Sequence, residues 1–103
     1  MIDPIQTQLV IVEVYEERKQ QDKKWGQQNH HDGTGRLGDA EKAFDARLRC
    51  QQNIPDNDNW RDILDEEVRE AFAETQPEHL RQELIQVAAV AVAWSEAIDR
   101  RGW

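Results

Sequence analysis

At most three residues separate two helical stretches in the second half of this chain, and that shortness restricts the fold more than any other feature. The helical pattern of apolar residues runs from about Trp60 to Thr75, and Pro77 then suits the first turn of a following helix. Two or three residues between helices imply an antiparallel hairpin. Glu70 and Glu83 are thirteen residues apart with the turn near their midpoint. Glu67 and Glu70 therefore align with the first turns of the next helix, which hold Glu83 and Gln86.

What meets across this hairpin is acidic. Residues three apart on a helix lie on one face, about one turn apart. With about 100° per residue and Glu67 at zero, Trp60 falls near +20°, Ala71 near +40°, Leu64 near +60° and Ile63 near −40°. Glu67 is thus inside the apolar stripe, with Glu70 at about −60° and Glu74 at about −20°. With Glu83 as zero, Trp94, Val87, Leu80 and Ala91 span about +20° to +80°, Val90 lies near −20° and Gln86 near −60°. A Glu-rich helix taken alone reads as a solvated face. An ionised carboxylate in an apolar seam costs several kcal/mol or more unless it is paired or metal-bound. Acids turned inward on two neighbouring helices point to a divalent cation held by hard oxygen ligands.

The remaining chain is compatible with a small helical protein. Its 103 residues suffice for one domain with one modest core, 38% hydrophobic and 33% charged. Asp3-Pro4 opens a first helix, about 4–25, in which the β-branched run Leu9 to Tyr15 has the local look of a strand but no hairpin partner. Ile5, Leu9 and Val12 share one face of it, continuing into Glu16. Four glycines between residues 26 and 38 mark a loop. A second helix is predicted over about 39–52, built on Ala43, Phe44, Ala46 and Leu48. The loop 53–59 follows, with Asp58 or Asn59 as N-cap of the third helix, about 60–75. The fourth, about 77–100, is apolar round much of its circumference, since Ala88, Ala89, Val92 and Ala93 widen its stripe. Such a helix is buried on several sides, so self-association is expected, the alanines allowing close approach.

Charge and cysteine content narrow the function. A formal charge of −8 argues against duplex nucleic acid, which needs a basic footprint, but leaves a free nucleotide open, approached through a bound cation. The single Cys50 makes no internal disulfide, and with no histidine pattern framing it reads as a structural thiol. Met1-Ile2-Asp3-Pro4 lacks a basic leader region, and the longest apolar run, Val87 to Trp94, is eight residues, so neither a secretory signal nor a membrane span is expected. The expected location is cytoplasmic.

The motifs resemble a known family. Glu66-Glu67-Val68-Arg69-Glu70, a short turn and the apolar helix beginning Glu83-Leu84-Ile85-Gln86-Val87-Ala88 resemble the MazG-like nucleotide pyrophosphohydrolases. The segment Trp25-Gly26-Gln27-Gln28-Asn29-His30 is similar to that family's W-x-x-Q-[T]-H loop. The longer stretch from Lys24 to Thr34 resembles a small subgroup common among actinobacteria and their phages. The resemblance implies an all-α, four-helix MazG-like bundle completed by oligomerisation, as a homodimer or homotetramer. It implies hydrolysis of a nucleoside triphosphate to monophosphate and pyrophosphate with Mg2+, or Mn2+ in its place. The family's ExxE…ExxD pattern maps onto Glu67, Glu70, Glu83 and Gln86 as metal ligands, with Gln86 where the family has aspartate. An amide oxygen ligates magnesium but brings no charge. Glu67 and Glu70 then serve catalysis through the metal, with Glu66 or Glu74 as proton acceptor. The alternative is a nucleotide-binding sponge or sensor of the same fold with weak or no activity.

Loop residues carry two readings each. Trp25 suits stacking on a base and equally an anchor for the loop. Gln28 and Asn29 offer paired donors and acceptors to a base edge, and are also turn formers. His30 and Lys24 fit contacts to phosphate or sugar, and fit idle surface positions as well. Lys23 and Arg18 share the ambiguity of Lys24. His30-His31-Asp32 lacks a further soft ligand at zinc spacing, and His79 reads as surface.

Overall fold

The computed structural model describes residues 1–53 and 57–102, which are helical with four helices and no strand. The expected loop over 53–59 falls partly, and Trp103 wholly, outside the described residues. The helices are α1 (Pro4–Trp25), α2 (Asp39–Asn53), α3 (Trp60–Ala73) and α4 (Pro77–Arg101). None is long and apolar enough to cross a membrane.

Each boundary has a local cause. The Asp3 carboxylate accepts from the backbone N–H groups of Ile5 and Gln6 at 3.0 and 3.3 Å, and Pro4 takes the first helical position. Gly26, at φ 70°, ends α1 while its N–H donates to the Asp22 carbonyl. Of the two N-cap candidates for α3, Asn59 takes the role, accepting from the Asp62 N–H at 2.9 Å. α3 stops at Ala73, two residues short of the expected end: Glu74 turns to ψ 135°. Thr75 and Gln76 complete the link before Pro77, and the residue ahead of a proline is driven from helical geometry.

The chain divides into two compact units. The first comprises Met1–His31 with the chain from Val92 onward, thus α1 and the last part of α4. Val10 is its buried apolar residue on α1, and Gln6 and Thr7 one turn away bond to Glu96 of α4. The row of Ile5, Leu9 and Val12 lies elsewhere on α1, and all three are more than half exposed. Taking Val10 as zero, Gln6, Thr7 and Val14 fall within about 60°, whereas Ile5 and Val12 lie near the opposite side. Polar side chains that find partners, rather than the apolar row, face the packed side.

The second unit, Asp32–Ala91, holds α2, α3 and the first part of α4. α2 packs on α3 through small side chains: Ala43, Ala46 and Cys50 are buried on α2, as is Ala71 on α3. Of the four residues expected to build α2, Ala43 and Ala46 are buried, while Phe44 and Leu48, about 100° and about 140° round the helix from Ala43, stay exposed. The ion pair Arg49–Asp65, at 3.2 Å, bridges the two helices. The Gly35 N–H donates to the Phe72 carbonyl at 2.7 Å, tying the glycine loop to the end of α3. Gly35 sits at φ 72°, and a Cβ there would meet the Thr75 side chain at 2.6 Å, so both conformation and space require glycine.

Candidate metal centre

In the second unit α3 and α4 face each other through their acids. Glu67 and Glu70 of α3 and Glu83 of α4 each offer one carboxylate oxygen, and those oxygens lie within 4.8 Å of one another. All three residues are half-buried. The three-residue spacing brings the α3 pair to one face, and the short link folds Glu83 back beside them, as the hairpin argument requires.

Two atoms define the character of this cluster. Glu67 Oε2 and Glu83 Oε2 are shut off from solvent with no hydrogen-bond partner. A carboxylate oxygen in that position carries its desolvation cost uncompensated. Burial accordingly pushes the Glu67 carboxyl from 4.5 up to about 7, helped by the negative charges of Glu70, Glu83 and Glu66. A proton held between Glu67 and Glu83 raises the first group further. Burial also raises Glu83, joined by the charges of Glu70 and Glu74, while that shared proton and Arg47 act the other way.

The donor set suits a hard divalent cation. Oxygens bound to one magnesium at about 2.1 Å lie about 3.0 Å apart when adjacent and about 4.2 Å when opposite, so these side chains would draw together to close on an ion. A divalent ion held by these three carboxylates would offset the repulsion among them. Three carboxylates without sulfur or imidazole select magnesium, manganese or calcium over zinc.

The other candidate residues fall as follows. Gln86 is exposed on α4, one turn beyond Glu83. Glu66 is half-buried beside the Cys50 thiol, and its charge acts on both Cys50 and Glu67. Glu74, the C-cap of α3, has the exposed His79 imidazole 3.8 Å from its carboxylate. Trp25, Gln28, His30 and Lys24 belong to the first unit and are all exposed. The Lys24 ammonium sits 4.8 Å from the centre of the Trp25 ring, a cation–π contact at the end of α1. Trp25 is 60% exposed. Cys50 is a structural thiol: its Sγ donates to the Asp62 carbonyl at 3.2 Å, and burial with the nearby Glu66 pushes it up to about 12.

Sequence reasoning missed Arg47. From α2 its Nε and Nη2 donate to Glu70 Oε1 at 3.2 and 3.1 Å, placing a positive charge against the cluster. A signal for it exists: with Ala43 at zero, Cys50 lies near −20° and Arg47 near +40°, on the edge of the stripe that packs on α3. Comparison with family models, curated proteins and solved structures finds no match to this chain.

Proposed function

We propose that this chain is a magnesium-dependent nucleoside triphosphate pyrophosphohydrolase, releasing nucleoside monophosphate and pyrophosphate. The observation that carries the metal part is the pair of enclosed, donor-less oxygens, Glu67 Oε2 and Glu83 Oε2, beside Glu70. Support for the reaction comes from the motif resemblance, in which these same three glutamates hold the metal.

In this reading Glu67, Glu70 and Glu83 hold the cation, and Gln86, already one turn from Glu83, contributes an amide oxygen. The bound ion supplies charge neutralisation of the triphosphate and a lowered pKa for an attacking water. The protein's own tasks are three. Glu67, Glu70 and Glu83 concentrate negative charge where hard oxygen ligands are needed. Glu66 or Glu74, both close enough to act electrostatically on the cluster, accepts the water's proton. Trp25 stacks on the base, with Gln28, His30 and Lys24 serving the base edge, sugar and phosphates. Assembly as a homodimer or homotetramer through α4, with Leu84 and Ile85 about half exposed, belongs to the same proposal.

A second reading, nucleotide binding without hydrolysis, is favoured by one residue. Gln86 stands where the resemblance expects an acid, which removes one negative charge from the ligand set. A panel of nucleoside triphosphates with pyrophosphate detection, with and without magnesium, separates the readings. Pyrophosphate release that requires magnesium supports the enzyme; tight binding with no release supports the binder. Trp25→Ala should weaken nucleotide binding by about 1–3 kcal/mol, the scale of a base–aromatic stack, while leaving the fold intact. Loss of fold in that variant would remove Trp25 from the nucleotide site.

A further inference from the structure

Three half-buried carboxylates within ligand range of one another cannot all stay charged without a counter-charge, and one lies beside them. Arg47 reaches across from α2 and places two donors on one oxygen of Glu70, Oε1, instead of forking over both. Its side chain is 47% exposed against 20% for Glu70, so the guanidinium is the more solvent-exposed partner of the pair. It acts beyond its direct partner, because its charge also opposes the upward shift of Glu83.

We propose that Arg47 is the built-in counter-ion of the cation-free cluster and competes with the divalent cation for Glu70, so that uptake of the ion releases the guanidinium. This rests on the metal reading given above. Glu70 is the shared element: the same carboxylate belongs to the three-acid cluster and to the Arg47 pair. A divalent ion seated among these oxygens puts two positive charges beside a third, and the repulsion falls on the partner that is mobile and half-exposed. Two consequences follow. Release removes one tie between α2 and α3, so occupancy of the site is felt at that helix contact. The freed guanidinium, with five donors in a planar fork, is then available to an anionic oxygen ligand arriving with the ion, of which a phosphate is the matching chemistry.

The test uses the full-length protein, its Arg47→Met and Arg47→Lys variants, and Mn2+ alone as the probe. Calorimetric titration should show Mn2+ binding Arg47→Met roughly two- to fivefold more tightly than wild type, the range set by releasing a half-exposed ion pair. With chelator present, Arg47→Met should melt at a lower temperature than wild type, and Mn2+ should close that gap. Arg47→Lys keeps the charge without the fork, should fold as wild type does, and should fall between the two in Mn2+ affinity. Equal or weaker Mn2+ binding by both variants overturns the competition while leaving the metal site standing. Absence of Mn2+ binding in all three proteins overturns the metal reading itself, and the competition with it.

Discussion

Glu96, in the unit built on α1, is 6% exposed, and Thr7 Oγ1 donates to its Oε2 at 2.9 Å. Glu67 and Glu83, in the unit built on α2 and α3, are less enclosed, yet each has an Oε2 shut off from water with no donor. Burial and neighbouring acids raise both of the latter. The deeper glutamate is provided for by a hydroxyl one helix away; the shallower pair has only the proton it shares and Arg47 at its edge. Depth of burial therefore says little about what a carboxylate is for. The supply of donors says more: a satisfied acid is part of the packing, and an acid pair without an outside donor, facing a third acid, is what the proposed cation site rests on.

The largest effect separating the two should be on cation binding. Glu67→Gln should lower Mn2+ affinity about 100-fold or more, above the 10- to 100-fold typical of residues that merely support a metal ligand. Glu96→Gln should leave it unchanged. Calorimetry on both variants checks this, and equal losses would break the distinction.

The next effect is the reverse case, an acid deprived of its donor. Thr7→Val leaves Glu96 Oε2 without its hydroxyl partner, at a cost of about 1–3 kcal/mol. At about 4–8 °C per kcal/mol for a chain of this size, thermal melting resolves the change. An unchanged melting temperature would show that Glu96 needs no donor, and the contrast with Glu67 would lose its basis.

Stability against pH gives the third test. Glu67 titrates at about 7 in the fold against 4.5 for an ordinary glutamate, so between those values the folded chain binds more protons than the unfolded one. Its contribution is complete below 4.5 and lost as pH rises through about 7; the raised Glu83 adds in the same direction. Without divalent cations the protein should lose melting temperature from pH 5 to pH 8 by about 4–8 °C if the pair contributes about 1 kcal/mol. Glu67→Gln should flatten that slope, and saturating Mn2+ should oppose it. A slope that survives Glu67→Gln would move its origin elsewhere.

The smallest effect concerns Gln86. Gln86→Asp adds a charge one turn from Glu83 but on a shorter, exposed side chain. Mn2+ binding should tighten by a few-fold, about 1 kcal/mol or less. If Gln86→Asp and Gln86→Ala both match wild type in metal affinity and turnover, Gln86 lies outside the site.

The helices and the hairpin were open to sequence reasoning because their causes are local. Asp3-Pro4 and Asn59 cap from within one turn, Gly26 ends α1 through its own backbone freedom, and Pro77 starts α4. Glu67, Glu70 and Glu83 come together for a reason that is nearly local as well, since a helical repeat and a three-residue link leave little choice. Three features required the folded chain. Which face of α1 packs was not legible in its apolar row, because the half-buried Gln6 and Thr7 find partners on Glu96, some 90 residues away, that no periodicity encodes. The face of α2 that packs is that of Ala43, Ala46 and Cys50 and not that of Phe44, since which face meets a neighbour depends on both surfaces at once. Arg47 reached Glu70 for the same reason. Local capping energies and chain geometry thus determine where the helices lie and which acids meet. The partners of a polar side chain depend on what distant segments bring to it, and only tertiary structure decided that Glu96 has a hydroxyl donor, that Glu67 and Glu83 have only each other, and that Arg47 holds Glu70.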